Sequence, residues 1–213
     1  GSGQFETHYV IALAKASQTM PEYSYNGETV LQRLNYMVTA MRECQVAFAA
    51  KYPAEAGYLG AIIIDQYDAL AEGRDHASDG SNIWVPWYFH HKTLEMALDV
   101  YNCADDESLR AVGLQILNDA SDWTYNKMSS YTEDVRAKIL VRREYGGMAE
   151  VLYQIYGVTK NVKHFKAAGY FEEKALLDNI HDNIDILKGL HANTAIPKFL
   201  GAAAAYEATG NEY

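Results

Sequence analysis

A six-residue pattern returns along this chain at an interval near fifty residues. Tyr156-x-x-Thr159-x-Asn161 recurs as Tyr206-x-x-Thr209-x-Asn211. Tyr101-x-x-Ala104-x-Asp106 is a looser copy upstream, and Ala16-x-x-Thr19-x-Pro21 fits as the first. A unit of that length holds two helices and two turns, so the repeat is a helical hairpin. A hairpin that cannot bury both faces alone must stack on others, as an open solenoid or as a ring of inner and outer helices. The repeat therefore restricts the chain to an all-α fold. A full outer helix follows Asn161, but only two residues follow Asn211. The pattern thus predicts a ring of hairpins that is incomplete within this chain.

Apolar spacing places the helices. Residues 7–19 carry Val10, Leu13, Ala14 and Ser17 on one side, and Asn26-Gly27 closes the following linker with turn chemistry. A long helix over 28–51 has Leu31, Leu34, Val38, Met41, Ala47 and Phe48 in line, with Cys44 on or beside that stripe as a small hydrophobe. Residues 53–83 read as a long irregular insertion with a short helical piece near 65–71, within a single domain spanning 1–213. Further helices are predicted at 87–102, from about 107 after the acidic cap Asp105-Asp106, and at 132–140, 146–157, 161–176 and 194–208. Ala61 to Ile64 is the one strand candidate. Pro197 fits the first turn of the last helix, after a cap at Asn193 or Thr194.

Charge and composition then narrow the partners. A net charge of −10 argues against nucleic acid and against an anionic membrane surface, each of which needs a basic face. No run approaches the ~20 apolar residues of a membrane helix. Two isolated cysteines, Cys44 and Cys103, cannot build a zinc site without outside ligands, and they leave the compartment open between cytoplasm and periplasm. Gly1-Ser2-Gly3-Gln4 shows no signal-peptide character. The apolar flanks of an incomplete ring would invite homo-oligomers.

Seventeen tyrosines fit a neutral polar ligand, and one stretch concentrates that chemistry. Trp84-Val85-Pro86-Trp87-Tyr88-Phe89-His90-His91-Lys92 supplies aromatic faces together with indole, phenol and imidazole hydrogen-bonding groups. That mixture suits a sugar; it equally suits an aromatic plug at a helix corner. If helices starting near 8, 91, 145 and 191 are equivalent, their N-terminal ends share a rim. The rim would bear His8, His91, Glu144-Tyr145-Gly146-Gly147, and His191 with Asn193, where free helix N–H groups also face a ligand. Gly146-Gly147 would weaken a helix interior and so belong at its entrance, letting backbone or ligand approach closely. Each feature has a plainer alternative. The histidines can be caps or surface residues, Glu144 can complement a helix dipole, and the glycines can relieve a tight crossing.

Five motifs occur in order: Gly3-x-Phe5-x-x-His8-Tyr9, Gly57-Tyr58-Leu59-Gly60, Trp84-Val85-Pro86-Trp87-Tyr88-x-x-His91-Lys92, Glu144-Tyr145-Gly146-Gly147-Met148-x-Glu150, and Gly189-Leu190-His191-Ala192-Asn193-Thr194-x-Ile196-Pro197-Lys198. They resemble the β-L-arabinofuranosidase family of glycoside hydrolases, family 127 and its relatives. The resemblance implies an (α/α)6 toroid whose inner rim binds a terminal arabinofuranose. It also implies a retaining mechanism in which a zinc-held cysteine thiolate is the nucleophile and a glutamate the acid/base. In the family those groups follow the Gly189–Lys198 motif. The implication is that zinc belongs to the full-length enzyme, that no residue of this chain is catalytic or a metal ligand, and that its residues bind carbohydrate. His91, Tyr145 and His191 are the foremost binding candidates, with Trp87, His8, Glu144, Gly146, Gly147 and Asn193 beside them. Ala149 stands where the family commonly has Asn. A non-catalytic helical array binding carbohydrate or protein, and a different toroid enzyme such as an epimerase or lyase, share the same architecture.

Overall fold

The computed structural model describes residues 3–210; Asn211, in the last copy of the repeat, lies outside them. Among the described residues the regular structure is ten α-helices, a single 3-10 turn at Pro53–Glu55 and a minimal hairpin of β1 (Ser24–Tyr25) and β2 (Glu28–Thr29). The helices are α1 (Gln4–Ser17), α2 (Val30–Lys51), α3 (Asp65–Glu72), α4 (Pro86–Cys103), α5 (Glu107–Ser129), α6 (Glu133–Arg142), α7 (Met148–Thr159), α8 (Val162–Gly169), α9 (Lys174–His181) and α10 (Ala192–Thr209). No helix among these residues is long and apolar enough to cross a membrane. The chain divides into two compact units. One contains the chain up to Ala61 with Lys92–Trp123, the other Ile62–His91 with the chain from Thr124 onward.

In the first unit α1 packs on α2 through Val10, Leu13 and Ala14. Asn26 and Gly27 both take positive φ, 53° and 83°, the conformation a tight hairpin turn demands. The hairpin delivers Thr29 as a capping box for α2, where its hydroxyl accepts from Gln32 N and the Gln32 side chain accepts from Thr29 N. The predicted stripe of α2 needs correction. Leu34 and Val38 are buried, but Cys44 is exposed and the neighbouring Gln45 is buried instead. Gln45 is accommodated because its amide donates to the carbonyls of Gly57, at 2.7 Å, and Ile116, at 3.4 Å. Gly57 takes φ +96° against the Asp119 backbone, where a Cβ would collide. Tyr58 then packs at a tilt between Phe48 and Trp123, and the Trp123 indole donates to Glu55 at 2.7 Å. The Gly57–Gly60 motif is thus a bolt within this unit.

In the second unit α7 is the central helix, packed by α8 and α10, while α3 packs on α6. Ala61 to Ile64 forms no strand. The predicted helix 161–176 is two helices, α8 and α9, because Phe171 leaves the helical path to bury its ring beside Trp87, 5.1 Å between centroids, and Tyr145, 5.9 Å. The repeat acquires a physical meaning here. Asn161 caps α8 by accepting from Lys163 N at 3.0 Å, and Asp106 likewise accepts from Leu109 N at the start of α5. Thr159 and Asn161 also hydrogen-bond the two ring nitrogens of the buried His164. In these two copies the polar position is the cap that starts the following helix.

Candidate functional site

Four chain segments of the second unit supply the site, and the aromatic run comes first. Pro86 opens α4, a position where its missing N–H is no loss. The first turns then bury most of the run. Trp87 is 1% exposed, edge-on to Tyr67 at 4.9 Å and to Phe171, while the Tyr67 hydroxyl donates to Pro86 O at 3.1 Å. Its indole serves the core. His90, also buried, hydrogen-bonds the Thr124 hydroxyl at 2.8 Å. His91 is the sixth residue of α4 rather than its first, which corrects the predicted start near 91. His8 likewise stands within α1, exposed, since Gly3 in a left-handed conformation starts that helix earlier. Helix α7 starts at Met148, just after the glycine pair, and α10 at Ala192, close to the rim starts expected near 145 and 191.

The closest juxtaposition is between His91 and the turn that opens α7. Gly146 has φ +58°, and Gly147 is the N-cap of α7. A Cβ on Gly146 would stand 2.7 Å from His91 Nδ1 and 3.0 Å from Tyr88 Cδ2. One on Gly147 would stand 3.1 Å from both His91 Nε2 and Glu150 Oε2. The imidazole therefore packs directly against the glycine backbone, and the Glu150 carboxylate flanks the same point from the first turn of α7. Only glycine permits this approach. Glu150 belongs to the fourth motif yet carries no local signal marking it as a site residue; its position across Gly147 from His91 is what does so.

Tyr145, just before the pair, is 2% exposed. Its hydroxyl donates to Glu173 Oε2 at 3.3 Å, and Lys198 both ion-pairs with that oxygen and lies 5.1 Å over the Tyr145 ring. Burial, with the Glu173 charge and hydrogen bond, pushes the Tyr145 phenol well above its ordinary range, so it remains a donor. Glu144 is half-buried beside it. His191 caps α10 without a side-chain bond, and His191 and Asn193 are both exposed. The cap expected at Asn193 or Thr194 is therefore displaced to His191. Pro197 sits in the second turn, unable to give the N–H that the Asn193 carbonyl would otherwise receive. Gly201 lets α10 settle on α7, where a Cβ would stand 2.9 Å from that of Ala149.

In this helical unit an imidazole and a carboxylate thus bracket a buried glycine turn, groups with the hydrogen-bonding capacity for a polar ligand. The family model of the β-L-arabinofuranosidase catalytic domain, glycoside hydrolase family 127, matches residues 2–213, and the chain belongs to that family. No curated protein matches the chain at a significant level. The zinc that the family resemblance implies does not fit the residues present. Cys44 is exposed, Cys103 is half-buried, and among the described residues no group of three His, Cys, Asp or Glu side chains is placed to hold a metal. No step is therefore assigned to a metal on this chain.

Proposed function

We propose that the second unit is the sugar-binding part of a glycoside hydrolase that removes terminal β-L-arabinofuranose residues with retention of configuration. In this reading the helical hairpins contribute to an (α/α)6 toroid, and the catalytic groups and zinc belong to the full-length enzyme. The observation that carries it is His91 seated on Gly146–Gly147 with Glu150 across the turn. An imidazole offers a donor and an acceptor, and the half-buried Glu150 carboxylate can accept from hydroxyls beside the turn. His191 and Asn193 offer further polar groups at the start of α10, with Glu144 beside the turn. Tyr145 and Trp87 act from beneath, by holding the turn and α4.

Family membership supports the substrate class, and the net charge of −10 suits a neutral ligand. Alanine at His91 or His191 in the full-length enzyme is expected to lower kcat/KM by at least about tenfold, the loss of ~1.4 kcal/mol of transition-state binding. Wild-type rates in both variants would sink the assignment. Sugar binding by the full-length protein without any turnover would instead identify a carbohydrate-binding module.

A further inference from the structure

We infer that Glu173 is a positioning residue for the sugar-binding turn: fixed by Lys198, it holds the Tyr145 hydroxyl and thereby the seat of Gly146–Gly147 beneath His91. The inference rests on the proposed sugar site and adds a residue that none of the five motifs contains.

Two observations carry it independently. Glu173 occupies the N-cap position of α9, yet its side chain makes no cap hydrogen bond. A residue placed where it could satisfy its own helix reaches instead to Tyr145, 28 positions away, and Lys198, 25 positions away. The second observation is burial. The Lys198 and Glu173 side chains are only 10% and 15% exposed. A charge pair so little hydrated contributes little net stability over an apolar pair of the same volume. What a carboxylate does that an apolar group cannot is accept two directional bonds at once. Glu173 Oε2 takes one from Tyr145 and one from Lys198.

The geometry explains why that matters at the site. Tyr145 is covalently next to Gly146, where an added Cβ would stand only 2.7 Å from His91 Nδ1. A shift of the Tyr145 ring passes into the turn with no slack to absorb it. Lys198 springs from α10 two turns beyond His191, so the same carboxylate also sets the start of α10. One side chain thus ties together the two segments that carry Gly146–Gly147 and His191–Asn193. Displacements of ~1 Å in a binding constellation reduce reaction rates by factors of about a hundred.

The test uses the full-length enzyme with Glu173→Ala, Glu173→Gln, Tyr145→Phe and the double variant Tyr145→Phe/Glu173→Ala. Three quantities are read: thermal midpoint, the NMR signals of the His91 imidazole and the Gly146 and Gly147 amides, and the dissociation constant for methyl β-L-arabinofuranoside. Positioning predicts that Glu173→Ala moves the His91 and glycine signals and weakens sugar binding about tenfold or more. Tyr145→Phe does the same, the double variant loses no more than either single one, and Glu173→Gln, which keeps an acceptor for the phenol, recovers most of the affinity. Unmoved His91 and glycine signals in a folded Glu173→Ala with a lowered midpoint would overturn the inference and leave Glu173 a structural brace. Should Glu173→Ala fail to fold, the same signals in Tyr145→Phe and Glu173→Gln decide it. If the wild-type enzyme fails to bind the sugar, or His91→Ala binds it unchanged, the proposed site falls, while the NMR signals still judge the role of Glu173.

Discussion

Alanine at Gly146 tests the closest contact in the candidate site. The position has φ +58°, and an L-residue there costs roughly 1–2 kcal/mol. The added methyl would also meet His91 Nδ1 at 2.7 Å and Tyr88 Cδ2 at 3.0 Å. Neither ring can retreat freely, since His91 is 8% exposed and both lie on the first two turns of α4. Overpacking of this kind costs about 1–3 kcal/mol. Alanine restricts the unfolded chain as well, which returns roughly 0.5–1 kcal/mol. The net expectation is a loss of about 3 kcal/mol, or roughly 6–12 °C in Tm for a chain of this length. Gly157→Ala is the matched control. That glycine is exposed inside α7, with ordinary φ and nothing within 4 Å of an added Cβ. It should stabilise by about 0.5–1 kcal/mol. Differential scanning calorimetry of wild type and both variants decides the matter. If Gly146→Ala melts within a degree or so of wild type, the described contact between His91 and the turn is wrong, and the proposed site loses its central observation.

Other expectations follow from single contacts. Gly201→Ala should cost about 1–3 kcal/mol by pressing on Ala149, and adding Ala149→Gly should recover part of it; urea midpoints of the two singles and the double measure the coupling. The Arg74 guanidinium, with the Ser78 backbone N–H, holds the Asp65 carboxyl at about 2, below its ordinary 3.8. Because the folded value is the lower one, the anchoring of the 73–83 loop is complete above pH 3.8 and is lost as pH falls towards 2. Amide protection factors in that loop should fall across this window in wild type, whereas in Asp65→Asn they should be low already at neutral pH. Thr124→Val removes the hydroxyl bonded to buried His90 and should cost about 1–3 kcal/mol by chemical denaturation.

Much of the fold is legible in short-range chemistry. The Asn26-Gly27 turn, the cap residues and the 3–4 spacing in α4, α5, α6 and α7 are all encoded within a few residues of where they act. What escapes a reading of the sequence depends on distant partners. Gln45 is buried only because Gly57 and Ile116 offer carbonyls to its amide. The break between α8 and α9 is set by Phe171, whose pocket is built by Trp87 and Tyr145. The strands around Asn26-Gly27 are two residues each, too short to show alternation. In the candidate site, the glycine pair announces itself by composition, because two glycines in a row mark an entrance rather than a helix interior. Glu150 and Glu173 do not. A glutamate in a helix looks the same whether it faces water, an imidazole or a tyrosine hydroxyl, and only the fold separates these cases.

The proline inside α10 has a consequence for timing as well as shape. With Pro197 unable to bond the Asn193 carbonyl, the turn beginning at His191 is tied to the rest of its helix by fewer backbone links. Such a helix end opens more readily than the turns behind it. A ligand that grips His191 and Asn193 would therefore be read most sensitively as slowed amide exchange over Thr194–Ile196, ahead of any change elsewhere in α10.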